Sequence, residues 1–217
     1  MFDCDGLLVE TESRWTLAEQ AVCDRWGVPF SIELKRRLLG TSLDRAGELL
    51  AEWVGEREER APALAAALIA AYREAVDERG VEPMPGAENL VAALAGRVPI
   101  AVASNTREAD TRRVLARSGL SPERFDAIVC AGDGIEPKPS PDVYLAACAA
   151  LGAPPHVAVA LEDSPLGVAA ATTAGLWVIG VPSTPRVALA CDLTVSSLTD
   201  LAADALLSGV GPRRRRT

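Results

Sequence analysis

From residue 84 onward the chain is a succession of short, unbroken apolar runs separated by segments of helical periodicity, and this alternation restricts the possible folds more than any other feature. The runs are Val98-Pro99-Ile100-Ala101-Val102-Ala103, Ala127-Ile128-Val129-Cys130, Val157-Ala158-Val159-Ala160-Leu161 and Trp177-Val178-Ile179-Gly180-Val181. Strands that are apolar on both faces belong to sheets covered on both sides. Helices fit 107–118, 141–151 and 165–174 between them. Strand–helix–strand repetition of this kind implies a parallel sheet with helices on both faces. Met1-Phe2, just ahead of Asp3, reads as the end of one more strand.

Residues 14–79 have a different texture, helix after helix with no strand candidate. Trp15, Ala18, Val22 and Trp26 share one helical face, and Gly27 with Pro29 ends that segment. A second helix fits 42–54 on a stripe of Leu43, Ala46, Leu50 and Trp53, with Thr41 as its expected cap and Asp44 reaching back. A third fits 62–79, where Leu64, Leu68, Tyr72 and Val76 follow at strict i+4 spacing and Gly80 is the stop. Pro83-Met84-Pro85-Gly86 reads as the hinge back to the sheet. The expected fold class is thus α/β, a Rossmann-like doubly wound parallel sheet with an inserted all-α domain. The core is expected over 1–13 and 84–210, the helical insert over 14–83, and a disordered basic tail over 211–217.

Apolar residues make up 49% of the 217, enough for a sizeable core, and the formal charge is −8. An acidic chain lacks the basic footprint of a nucleic-acid binder. No apolar run reaches the roughly 18 residues of a membrane span, and no basic-then-apolar leader opens the chain. The scattered Cys4, Cys23, Cys130, Cys148 and Cys191, with no CxxC and one His, fit reduced thiols better than disulfides or zinc. A cytoplasmic protein without nucleic-acid or membrane partners is expected, as a monomer with a dimer allowed. Arg213 to Arg216 read as a solvated tail, and His156 as a turn residue after Pro154-Pro155. Trp15, Trp26 and Trp53 read as core of the insert, Trp15 being the one with a possible view of a cleft.

Ligands of open parallel sheets bind beyond the carboxyl ends of the strands. The residues there are Asp3-Cys4-Asp5-Gly6, Ser104-Asn105, a loop carrying Lys138, and Glu162-Asp163. Asp3 and Asp5 share one face of an extended chain. Carboxylates that close repel unless a cation or proton lies between them, and a hard cation taking oxygen ligands, Mg²⁺ before Ca²⁺, resolves this. The plainer alternative is that such acids cap the next helix. Ser104 and Asn105 precede a helix. Asn105 is placed to cap it with Glu108 completing a capping box, or the same N-terminus binds an anion. Lys138 stands between Pro137 and Pro139, a rigid position suited to pinning a phosphate, or else a surface Lys; Ser140-Pro141 then opens the next helix.

Taken together and in order, these motifs resemble the signatures of the haloacid dehalogenase superfamily. Phe2-Asp3-Cys4-Asp5-Gly6-Leu7-Leu8-Val9 is similar to the first signature, Ser104-Asn105 to the second, and Lys138 in Lys-Pro-Ser-Pro-Asp to the third. Glu162-Asp163-Ser164-Pro165-Leu166-Gly167 followed by Ala174-Gly175 is similar to the fourth. The resemblance runs from Phe2 to about Pro182 and matches the helical insert to the family's cap domain. It implies a phosphoric monoester hydrolase in which Asp3 is the nucleophile that becomes an aspartyl-phosphate. Asp5 is then the general acid and base. Ser104, Asn105 and Lys138 hold the phosphoryl group. Mg²⁺ is held by Asp3, the Asp5 carbonyl, Asp163 and Glu162, the last directly or through water.

The chain departs from the family at Glu10, where Asp is usual. The β-phosphoglucomutase branch carries an Arg after Gly-x-Ser in the cap, whereas Gly40-Thr41-Ser42 is followed by Leu43, and a His near where Trp15 stands. Both substitutions favour a phosphatase over a mutase, and Asp5 argues against dehalogenation. A catalytically silent metabolite-binding module is the alternative of a different class. A small phosphorylated metabolite is the expected partner, a sugar or sugar-alcohol phosphate by family analogy. Only Met1 and Phe2 precede Asp3, against roughly 5–6 residues in a usual strand, so the natural product is expected to begin upstream of Met1.

Overall fold

The computed structural model describes residues 1–38, 41–183 and 188–208. The basic tail and Gly40 lie outside the described residues. The chain divides into two compact units, one of Met1–Glu10 with the chain from Glu82 onward, the other of Thr11–Val81.

Strand β1 (Val9–Glu10) closes the first segment. The helical unit follows with α1 (Glu12–Arg25), α2 (Ile32–Leu38), α3 (Leu43–Val54) and α4 (Ala61–Arg79). α4 packs on both α1 and α3. Its i+4 stripe of Leu64, Leu68, Tyr72 and Val76 is buried, each large side chain contributing about 1.5–3 kcal/mol on burial. Gly80 accepts the positive φ of +67° that ends α4. The cap of α3 differs from expectation. Ser42 is the N-cap and its hydroxyl accepts the Arg45 N–H, while Thr41 Oγ1 donates backward to the Leu38 carbonyl. Helix α2 has too few residues for periodicity to reveal it; the Ser31 hydroxyl caps it by accepting the Leu34 N–H. The three Trp residues are half-buried rather than core. Trp15 stacks on Tyr72 with ring centroids 3.9 Å apart, and Trp53 Nε1 donates to the Pro29 carbonyl.

The chain returns through β2 (Glu82–Pro83), antiparallel to β1 with Val9 opposite Pro83 and Glu10 opposite Glu82. Then come α5 (Ala87–Leu94), β3 (Ala101–Ser104), α6 (Glu108–Arg117) and β4 (Ala127–Cys130). They are followed by α7 (Asp142–Ala150), β5 (Val159–Glu162), α8 (Pro165–Thr173), β6 (Trp177–Gly180), β7 (Leu193–Thr194) and α9 (Ala203–Leu207). β3 pairs with β4, and β5 with β6 and then β7, all parallel. Phe2 joins the two groups by parallel bridges to Val102 and Leu161, so the first segment lies between β3 and β5. The chain order thus reverses at Phe2, a topological switch point of the kind where open α/β sheets bind ligands.

Alternation along the strands builds the core. Ala101, Ala103 and Ala160 are wholly buried against Val143, Tyr144 and Ala147 of α7. Small residues there let the helix approach the sheet closely. Val98, Pro99 and Val157, expected in strands, fall outside them. Val157 belongs to a single 3₁₀ turn, Pro155–Val157, set by the two prolines, and the strand starts only at Val159. His156 in that turn is exposed, as expected of a turn residue. All five Cys are free thiols. Among the described residues no helix is long and apolar enough to cross a membrane.

Candidate active site

Every expected site residue lies at the carboxyl edge of the sheet or in the loop after β4. Asp3 is the first residue past Phe2, fixed by its N–H to the Leu161 carbonyl at 3.1 Å, and only 8% exposed. Gly6 then turns the chain at φ +87°, and a Cβ there would stand 2.3 Å from Asp163 Oδ2. That residue must be glycine both for its backbone and for its neighbour.

Lys138, 6% exposed, reaches into this edge. Its Nζ donates to Asp3 Oδ1 at 2.5 Å, Glu162 Oε1 at 2.6 Å and the Ala103 carbonyl at 2.8 Å. Burial alone works against the ammonium, but Asp3 and Glu162 outweigh it and hold the Lys138 pKa well above its ordinary value. Asp3 is itself raised well above the usual carboxylate range, by burial first, with Lys138 opposing and Glu162, Asp163 and Asp5 adding to the rise. Burial also lifts Asp163 to about 6, against a hydrogen bond from Ser183 Oγ at 2.6 Å. Asp3 and Asp163 rise chiefly because they are buried, whereas Lys138 rises because the Asp3 and Glu162 carboxylates face its ammonium.

A cation is the natural remedy. Asp3, Glu162 and Asp163 each offer a carboxylate oxygen, and these oxygens lie within 4.8 Å of one another. Unit charges about 4 Å apart repel by about 4 kcal/mol at an effective dielectric of 20. An all-oxygen, multiply charged donor set fits a hard divalent cation. The Asp5 carboxylate is not one of these three and accepts the Thr106 hydroxyl at 2.9 Å.

Two local expectations fail. Asn105 does not cap α6, whose N-cap is Arg107 without a side-chain bond, and Glu108 pairs with Arg112 instead of completing a capping box. The Asn105 amide turns to Lys138: Oδ1 accepts the Lys138 N–H at 2.7 Å and Nδ2 donates to the Lys138 carbonyl at 3.2 Å. Ser104 Oγ accepts the Thr106 N–H. Likewise Ser140 does not cap α7. The cap position is Pro141, and Asp142 accepts the Glu136 N–H. At Asn105 a partner 33 residues away displaced the local one.

Three supporting residues escape a reading by motif, Thr106 on Asp5, Ser183 on Asp163 and Tyr144, and Gly167 of the fourth signature gains a structural reason. Tyr144 is wholly buried, its hydroxyl donates to Glu162 Oε1 at 2.5 Å, and Lys138 Nζ lies 5.0 Å from its ring centre. Its signal was present, since a Tyr six residues past Lys138 in an otherwise apolar helix needs a buried partner. Gly167 leaves room for the Glu162 carboxylate, which a Cβ there would meet at 1.9 Å. The Ser164 hydroxyl caps α8 through the Gly167 N–H.

A parallel α/β sheet with a helical insert and an acidic edge around one buried Lys defines a class of hydrolase, and the comparisons agree with it. Residues 1–175 match the model of haloacid dehalogenase-like hydrolases, and the chain belongs to that family. It is 32% identical to hexitol phosphatase B of Escherichia coli, with 95% of each chain covered. It is 28% identical to beta-phosphoglucomutase of Bacillus subtilis, with 95% of this chain and 92% of that one covered. The solved structure of CbbY from Rhodobacter sphaeroides in complex with phosphate superposes with a TM-score of 0.81 at 31% identity, covering 95% and 97%. Enzymes of this family generally use Mg²⁺.

Proposed function

We propose that the protein is a Mg²⁺-dependent phosphatase of small phosphorylated metabolites, working through an aspartyl-phosphate on Asp3. The observation that carries this reading is the direct contact of Lys138 Nζ with buried Asp3 in one cluster with Glu162 and Asp163. A buried carboxylate beside a fixed ammonium is oriented for attack on a phosphoryl group that the same ammonium attracts.

Asp3 Oδ attacks phosphorus in line, and the bond to the ester oxygen breaks. Asp5, held by Thr106, gives its proton to the leaving alkoxide. It then takes a proton from the water that attacks the phosphoryl group, which leaves as inorganic phosphate and restores Asp3. Lys138, the Ser104 hydroxyl and the Asn105 backbone N–H offset charge on the phosphoryl oxygens. The residues that would hold Mg²⁺ are Asp3, Asp163, Glu162 and the Asp5 carbonyl. When bound, the ion would lessen repulsion between the Asp3 carboxylate and the phosphate dianion. The helical unit, 14–83 in our reading, is the counterpart of the family's cap domain.

A sugar or sugar-alcohol phosphate is the substrate class we favour, supported by the hexitol phosphatase relative. The mutase relative raises a second reading. Apolar Leu43 and Trp15, where that branch carries cations, support hydrolysis instead. A reducing, cytoplasmic setting and a monomer complete the proposal, the first supported by the five free thiols.

The test is phosphate release from an aryl phosphate and a panel of sugar and sugar-alcohol phosphates, with Mg²⁺ or with chelator. Release that needs Mg²⁺ supports the reading. Undiminished release after thorough chelation removes the metal from it. Conversion of β-glucose 1-phosphate mainly to the 6-phosphate would make the protein a mutase.

A further inference from the structure

We propose that the Asn105 side chain is a positioning residue, a clamp on the main chain of Lys138 that sets how far the ammonium reaches; this rests on the phosphatase reading. Both polar atoms of the amide are spent on one residue, accepting the Lys138 N–H and donating to the Lys138 carbonyl, 33 positions along the chain. The amide thus meets Lys138 as a neighbouring strand would.

The loop has few other means of being held. Pro137 and Pro139 have no N–H, so Lys138 supplies the single main-chain donor of that three-residue stretch, and the donor goes to Asn105. The flanking bonds, Glu136 N–H to Asp142 Oδ2 at 3.3 Å and Ser140 N–H to the Pro137 carbonyl at 3.0 Å, do not touch Lys138. From this clamped backbone the stem runs to Nζ, where three acceptors are met at once. A change in the height of the Lys138 Cα would pull Nζ away from one or more of them. Asn105 also forgoes the helix cap its place in the sequence offers, leaving α6 without a side-chain cap.

The clamp is separated from a direct phosphate contact by a double-mutant cycle on aryl-phosphate turnover. Asn105→Ala should lower kcat/KM by up to about 10²-fold, the scale of an ångström-sized misplacement. The same change made in Lys138→Ala should matter by no more than about twofold, because independent sites add and members of one unit do not. An equal fold-loss in both backgrounds would mean that the amide acts on substrate by itself and would overturn the clamp. A second readout needs no turnover: amide exchange at Lys138 should be slow in the wild type and fast in Asn105→Ala at unchanged melting temperature. Unchanged exchange overturns the proposal whatever the kinetics. If Asn105→Ala melts too low to assay, Asn105→Ser, whose hydroxyl is too short to bridge both groups, is read in the same way. A wild type that releases no phosphate would sink the phosphatase reading alone, and the exchange data would still judge the clamp.

Discussion

The α/β unit and the helical unit are held together differently. In the helical unit the contacts that define each helix are periodic and local. They are the α4 stripe, the Ser42 cap and the Gly80 stop. In the α/β unit they are distant in sequence. Lys138 meets Asp3 from 135 residues away and Thr106 meets Asp5 from 101. A unit of local contacts tolerates change one turn at a time. A unit whose polar contacts converge on a buried centre does not, because each partner removed leaves a desolvated charge. Substitutions in the two units should therefore separate stability from chemistry.

The largest effect is expected at Asp3. Asp3→Asn should fold and lose several orders of magnitude in turnover, since no other group is placed to form the intermediate. Retention of more than about a tenth of the rate, about 1.4 kcal/mol of barrier, would mean that the nucleophile is another residue. Next come two glycines, one in each unit. A Cβ on Gly167 would collide with the Glu162 carboxylate, and one on Gly47 would lie 2.4 Å from the Ala61 carbonyl. Each alanine variant should lose roughly 1–3 kcal/mol of stability by overpacking. Gly167→Ala should also lose activity, whereas Gly47→Ala should keep it below its melting range. Equal activity in the two would erase the distinction between the units.

A smaller effect follows from Asp163, whose pKa rises from the ordinary 3.8 to about 6 through burial. Between those values the folded chain binds more protons than the unfolded one, so stability falls as pH rises through the window and returns as pH drops. Asp3, raised in the same direction, adds to the decline. Melting curves in chelator should show that decline, shallower in Asp163→Asn, and an unchanged slope would remove Asp163 as a source. The smallest effect is Ser42→Ala, which removes the α3 cap and should cost about 1 kcal/mol, seen as a lower melting temperature at unchanged kcat/KM.

The same contrast explains what could be read from the sequence. Strand Ala127–Cys130 and the i+4 stripe of α4 were legible because burial imposes a period that local residues must obey. The acids and Lys138 were legible because strand ends and flanking prolines mark them. The caps expected at Thr41, Asn105 and Ser140 do not form: the Thr41 hydroxyl donates to Leu38 and the Asn105 amide bonds Lys138, while the N-cap position of α7 is Pro141, one place past Ser140. Thr106 and Ser183 were invisible for a related reason: their partners are 101 and 20 residues away, and no local pattern encodes such a pairing, whereas Tyr144 showed at least a polar tip in an apolar helix.

The central claim, an aspartyl-phosphate on Asp3, is tested most directly by acid-quenching the enzyme during turnover with Mg²⁺ and a phosphorylated substrate, then mapping the phosphoryl group by peptide mass spectrometry. The account predicts one phosphoryl group on the peptide bearing Asp3, lost at alkaline pH as an acyl phosphate must be, and absent from Asp3→Asn. A phosphoryl group on any other residue, or steady turnover with the Asp3 peptide unmodified throughout, would contradict it.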